Sequence, residues 1–65
     1  MKVAFLGLGV MGFPMAGHLA NAGHTVRVFN RSFAKAESWS TTYQGIACAT
    51  IEEAVDDAEL VCACL

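Results

Sequence analysis

The stretch Gly7-Leu8-Gly9-Val10-Met11-Gly12 constrains this chain more than any other. It follows the apolar run Val3-Ala4-Phe5-Leu6 and leads into residues 11–22, which read as a helix. Three glycines at this spacing are a weak signal alone, but between a strand and a helix they acquire a mechanical meaning. Gly7 lets the chain turn tightly off the strand end. Gly9 lets the backbone approach a pyrophosphate, and Gly12 lets the new helix lie close to the sheet. Backbone N–H groups at the helix start then face the phosphates, and the aligned peptide dipoles favour their charge. The stretch therefore predicts a dinucleotide half-site built on Gly7, Leu8, Gly9, Val10, Met11 and Gly12.

The rest of the chain repeats the strand–helix alternation. Residues 2–6 are continuously apolar after Lys2, as in a central parallel strand covered on both faces. Met11, Met15, Leu19 and Ala22 recur at three- and four-residue spacing and are expected to face the sheet. Pro14 falls in the first helical turn, where its missing N–H has no intrahelical partner to lose. Gly23 is placed to end the helix in a left-handed conformation.

Residues 25–29 form the second strand, and Ser32 offers an N-cap hydroxyl to a second helix over residues 33–43. Phe33, Ala36 and Trp39 or Ser40 are its expected inward residues, with Trp39 and Tyr43 packing together. A turn at Gln44-Gly45 precedes a short third strand, Ile46-Ala47-Cys48. Thr50-Ile51-Glu52-Glu53 fits a capping box for a short helix ending near Asp57 or Ala58, and residues 60–65 are the fourth strand. The predicted fold is α/β: a Rossmann-type parallel sheet, β-α-β-α-β-α-β, with strand order 3-2-1-4 and a right-handed crossover between the first two strands.

The end of the second strand bears on the choice of cofactor. An NAD site commonly places Asp or Glu there to bind the adenosine ribose. Here Asn30-Arg31-Ser32 occupies the position and contains no carboxylate. A 2′-phosphate would be repelled by a carboxylate and held by a guanidinium fork, a hydroxyl and nearby N–H groups. Lys35, one turn into the following helix, adds a point charge, and Asn30 can donate through its neutral amide. These residues favour NADP(H) over NAD(H). Cys64 and Leu65, at the carboxyl end of the fourth strand, fall near the crevice where such sheets bind ligands.

Composition narrows the class. A 65-residue chain buries only about 60% of its unfolded surface, yet this one is 55% hydrophobic. That excess predicts a front piece of a larger domain. The net charge of −2 supplies no basic face for nucleic acid. The acidic residues Glu52, Glu53, Asp56, Asp57 and Glu59 read as a solvated helix face. No run approaches the roughly 20 apolar residues of a membrane span, and the start is too short and glycine-rich for a signal peptide. Three cysteines, Cys48, Cys62 and Cys64, lie in apolar segments without metal or redox spacing, so reduced, buried thiols and a cytoplasmic setting are expected. His18 and His24 have no nucleophile or acid partner and read as helix-surface and turn residues.

The run Gly7-Leu8-Gly9-Val10-Met11-Gly12-Phe13-Pro14-Met15-Ala16, followed by Gly23-His24-Thr25-Val26-Arg27-Val28-Phe29-Asn30-Arg31, resembles the N-terminal domain of the β-hydroxyacid dehydrogenases. The group includes 3-hydroxyisobutyrate dehydrogenase, 6-phosphogluconate dehydrogenase and the glyoxylate/succinic semialdehyde reductases. The resemblance covers essentially the whole chain. It implies hydride transfer between NAD(P) and a small hydroxy acid or its oxo or semialdehyde counterpart. It also implies a lysine from a helical second domain that moves the proton, and oligomerisation through that domain. Neither Lys2 nor Lys35 matches that lysine, so no catalytic residue is assigned here. By the same likeness, residues 8–11 bind pyrophosphate; Asn30, Arg31, Ser32 and Lys35 surround the 2′-phosphate; and Cys64-Leu65 begin the loop near the nicotinamide ribose. NADPH-dependent imine reductases share a similar front end and are the enzymatic rival. A non-catalytic dinucleotide sensor or interaction module is the alternative outside enzymes, and FAD is disfavoured by the same missing carboxylate.

Overall fold

The computed structural model describes residues 1–64; Leu65, assigned above to the cofactor site, lies outside the described residues. Seven elements alternate as expected: β1 (Lys2–Leu6), α1 (Gly12–Asn21), β2 (Thr25–Phe29), α2 (Phe33–Tyr43), β3 (Ile46–Cys48), α3 (Ile51–Val55) and β4 (Leu60–Ala63). The sheet runs β3-β2-β1-β4, with every neighbouring pair parallel. In β1, Val3 and Phe5 face one way and Ala4 and Leu6 the other. The first face packs with Val26, Val28, Ala16, Ala36 and Trp39, and so carries α1 and α2. The second packs Ala4 with Cys48 and Ala54, and so carries α3. Helices on both faces explain why β1 lacks alternation.

Helix α1 corrects the expected stripe. Met11 and Met15 are 66% and 50% exposed, and Ala22 is exposed as well; only Leu19 of that set packs on the core. Gly12, Ala16 and Gly17 are buried instead, with Phe13 and Ala20 packed beside them. Small residues let the helix axis approach the sheet, and Phe5, Leu8 and Trp39 fill the space that helical side chains would otherwise take. A Cβ on Gly17 would collide with the Tyr43 ring, so that glycine sets the approach of α2 to α1. The helix ends as predicted. Gly23 has φ 99°, its N–H donates to the Ala20 carbonyl, and the His24 N–H donates to Leu19, a Schellman closure.

In α2 the inward residues are Ala36 and Trp39, whereas Phe33 is 43% exposed. The Trp39 indole N–H donates to the Phe13 carbonyl at 3.2 Å, and its ring lies 5.7 Å from that of Tyr43. Ser40, Thr41 and Thr42 are weak helix formers, yet their hydroxyls donate back to the carbonyls of Glu37 and Ser38 and stay within the helix. Thr50 caps α3, accepting from the Glu53 N–H at 3.2 Å. That helix stops at Val55, sooner than expected, because Asp56 leaves helical geometry with ψ 122°, and Asp57 follows with a left-handed φ of 62°. Strand β4 ends at Ala63 rather than continuing, although the Cys64 N–H still donates to the Leu6 carbonyl at 2.7 Å. Cys48 is buried as expected, and burial pushes its thiol pKa up; Cys62 and Cys64 are only half-buried.

Candidate functional site

All four strands point their carboxyl ends at one edge of the sheet, where the glycine turn connects β1 to α1. Gly7 has φ 94°, a conformation that side chains rarely adopt, and its N–H donates to the Phe29 carbonyl at 2.8 Å. Leu8 follows with its side chain fully buried and anchors the turn in the core. The chain then emerges: Val10 is 90% exposed, and Met11 occupies the N-cap position without a side-chain cap. A Cβ on Gly12 would sit 2.6 Å from the Gly7 carbonyl oxygen and 3.5 Å from the Cys64 Cβ, so only glycine lets α1 start here. A Cβ on Gly9 would meet nothing within 4 Å. Close packing within the chain therefore explains Gly12 but not Gly9.

The N–H groups of Gly9, Val10, Met11 and Gly12 make no hydrogen bond among the described residues. They stand at the positive end of a ten-residue helix whose cap residue offers them no side-chain oxygen. Leu8 differs from its neighbours. Its N–H donates to Asn30 Oδ1 at 2.9 Å, while Asn30 Nδ2 donates to the Ser32 carbonyl at 3.2 Å. The Leu8 N–H and the Asn30 amide, both expected at the cofactor, are thus also bonded within the protein.

A groove of about 680 Å³ opens in front of the turn. Gly7, Leu8, Gly9, Asn30, Arg31 and Cys64 line it, so six of the sequence-selected residues meet there. Gly12 is buried, Val10 and Met11 are exposed, and none of the three forms the groove wall. Ser32 and Lys35 are exposed on the adjoining start of α2 and do not form the groove wall. Ser32 is the N-cap residue, but its hydroxyl makes no cap hydrogen bond, contrary to expectation; its carbonyl accepts from Lys35 and Ala36 instead. Arg31 is exposed, and its guanidinium makes no hydrogen bond or ion pair among the described residues. Two wall residues escaped the sequence reading, Phe29 and Ile51. Ile51, 44% exposed, follows the Thr50 cap at the carboxyl end of β3. An isoleucine directly after an N-cap was the available signal, since that position lies at the strand-end crevice.

The two histidines remain outside this arrangement. His18 is on the exposed side of α1 and His24 at the opposite edge of the sheet. No group of three metal-binding side chains occurs among the described residues. No described helix is long and apolar enough to cross a membrane.

Sheet order, turn and groove together define a dinucleotide-binding α/β domain. Residues 2–65 match the family model described as the NAD binding domain of 6-phosphogluconate dehydrogenase, and the chain belongs to that family, the N-terminal domain of the β-hydroxyacid dehydrogenases. An uncharacterized oxidoreductase of Shewanella frigidimarina is 52% identical over 64 residues, covering 98% of this chain and 22% of that protein. The 3-hydroxyisobutyrate dehydrogenase of Pseudomonas aeruginosa is 64% identical over 28 residues, covering 43% of this chain and 9% of its own length. Among solved structures, the Mycobacterium tuberculosis 3-hydroxyisobutyrate dehydrogenase with L-serine superimposes with a TM-score of 0.86 at 39% identity, over 97% of this chain and 21% of that one. The chain thus spans about a fifth of the length of these full-length relatives.

Proposed function

We propose that this domain binds NADP(H) for an oxidoreductase acting on a small hydroxy acid or its oxo or semialdehyde counterpart. The observation that carries the reading is the pairing of four backbone N–H groups, those of residues 9–12, with an Arg31 that shares the groove with Gly9, none of them hydrogen-bonded among the described residues. The first set suits a pyrophosphate and the second a 2′-phosphate. Ser32 adds a hydroxyl without a cap bond, and Lys35 a cation without an ion partner among the described residues. The absence of a carboxylate at the end of β2 supports the same choice, because Asn30 brings no negative charge to repel the phosphate.

The nicotinamide ring, when bound, supplies or accepts the hydride. This chain's residues hold and orient the dinucleotide: the backbone of residues 9–12 at the pyrophosphate, Arg31 at the 2′-phosphate, Ile51 as an apolar wall, and Cys64 beside the strand end. Lys2 stands at the far edge of the sheet, bonded to Asp57, and has no place in proton transfer at this groove. We assign that step, the substrate pocket and oligomerisation to the remaining chain of the full-length protein, as in the dehydrogenases it resembles.

The test is Arg31→Ala in the full-length protein, with NADPH and NADH titrated separately. A charge-assisted hydrogen bond contributes about 1.5–3 kcal/mol, so NADPH affinity should fall about tenfold to a hundredfold and NADH affinity should hold. Equal weakening of both cofactors overturns the NADP(H) assignment.

A further inference from the structure

We propose that Asn30 is a positioning residue, a strut that sets the phosphate turn against the loop carrying Arg31 and Ser32. The inference rests on the dinucleotide reading above and adds to it how the two halves of the grip keep their spacing.

Strands β1 and β2 are paired through Leu6 and Phe29, and the Gly7 N–H donates to the Phe29 carbonyl as the last backbone rung between them. Beyond that rung the two chains part, β1 into the glycine turn and β2 toward α2. The next N–H after Gly7 belongs to Leu8, whose buried side chain holds it in a part-buried position. With no backbone carbonyl taking it, that donor would be left unsatisfied. Asn30 Oδ1 receives it at 2.9 Å, so the side-chain amide stands in for one more rung of the ladder. The other end of the same amide donates to the Ser32 carbonyl at 3.2 Å, and that carbonyl also accepts the Lys35 N–H that opens α2.

One planar group therefore ties the turn in front of α1 to the first turn of α2. An amide suits both ends because it accepts with its oxygen and donates with its nitrogen. A carboxylate would serve the Leu8 N–H but set an oxygen against the Ser32 carbonyl. The turn and the Arg31 loop grip different phosphates of one ligand, so their separation must be set before binding. Selection between NADP(H) and NAD(H) then falls to Arg31, Ser32 and the lack of charge at position 30, while the hydrogen bonds of Asn30 support both cofactors.

The experiment uses the full-length protein and four forms: wild type, Asn30→Ala, Asn30→Asp and Arg31→Ala. NADPH and NADH affinities are titrated, and amide hydrogen exchange is followed at Leu8 without cofactor. Asn30→Ala should weaken both cofactors by about tenfold and speed exchange at Leu8, with exchange in the β1 and β2 interiors unchanged. Asn30→Asp should keep Leu8 protected and weaken NADPH more than NADH. Loss of NADPH alone in Asn30→Ala, or unchanged exchange at Leu8, overturns the strut. Unchanged affinity for both cofactors overturns it too and leaves the NADP(H) reading standing. Equal loss of both cofactors in Arg31→Ala removes the NADP(H) reading and leaves the strut standing.

Discussion

The two ends of this sheet carry similar side chains in opposite states. At the amino end, Lys2 is bonded to Asp57, and the Lys2 N–H donates to Glu59 at 2.8 Å. Arg27 donates to the carbonyls of Glu53 and Asp56 at 3.2 and 2.8 Å, closing the carbonyl end of α3 with a positive charge. At the carboxyl end, among the described residues, Arg31 and Lys35 have no such partner and four consecutive N–H groups make no hydrogen bond. Arg27 and Arg31 lie four residues apart in the sequence, yet one completes the fold and the other has no partner among the described residues. Side-chain type did not separate them. The partners that the fold brings within reach did.

The comparison breaks most readily at the turn. Gly9→Ala adds a methyl into open space, at a residue whose φ is not positive, so the thermal midpoint should stay unchanged. Both NADPH and NADH should nevertheless weaken by roughly tenfold or more, about 1.4 kcal/mol, because the methyl stands where the pyrophosphate approaches. Retained affinity, measured by titration of the full-length protein, would mean that the free N–H groups face no phosphate.

At the amino end the expected pattern reverses. Arg27→Met keeps the aliphatic stem but leaves the carbonyls of Glu53 and the C-cap Asp56 without this donor. Denaturant unfolding should register a loss of about 1 kcal/mol, with cofactor affinities unmoved. A change in affinity without a change in stability would erase the distinction between the two arginines.

The smallest effect belongs to the exposed Lys2–Asp57 pair. The Lys2 ammonium holds the Asp57 carboxyl below its ordinary pKa, through a hydrogen bond first and charge second. The contribution is present above the unfolded carboxylate value and fades as pH falls through the lowered folded one. Asp57→Asn should therefore lower the thermal midpoint slightly at neutral pH, and the gap to wild type should close in acid. A gap that widens in acid would show that the pair does not stabilise the fold. Solvent on both side chains keeps the effect small.

Much of this was legible in the residues themselves. Glycine identity, the Thr50 cap and the alternation of apolar runs with helix starts depend on neighbours a few positions away, so they can be read along the chain. Asn30, Arg31 and Cys64 were placed at the strand ends by counting, and they do share a groove. The errors concern choices made across space. Met11 and Met15 have helical spacing, but α1 packs through Gly12, Ala16 and Gly17 with Phe13, Leu19 and Ala20 beside them. Ser32 reads as a cap, yet its hydroxyl makes no cap bond. Asn30 reads as a cofactor contact, and nothing along the chain signals that its amide also joins Leu8 to Ser32.

The sequence alone determined the βαβ frame, the glycine turn and the lack of a carboxylate after β2. Each follows from local backbone preference or from charge, properties a residue carries into any surroundings. Tertiary structure alone decided which polar groups stay free. Hydrogen bonds saturate, and whether Arg27, Arg31, Asn30 or Leu8 has a partner depends on segments that meet only once the sheet has closed.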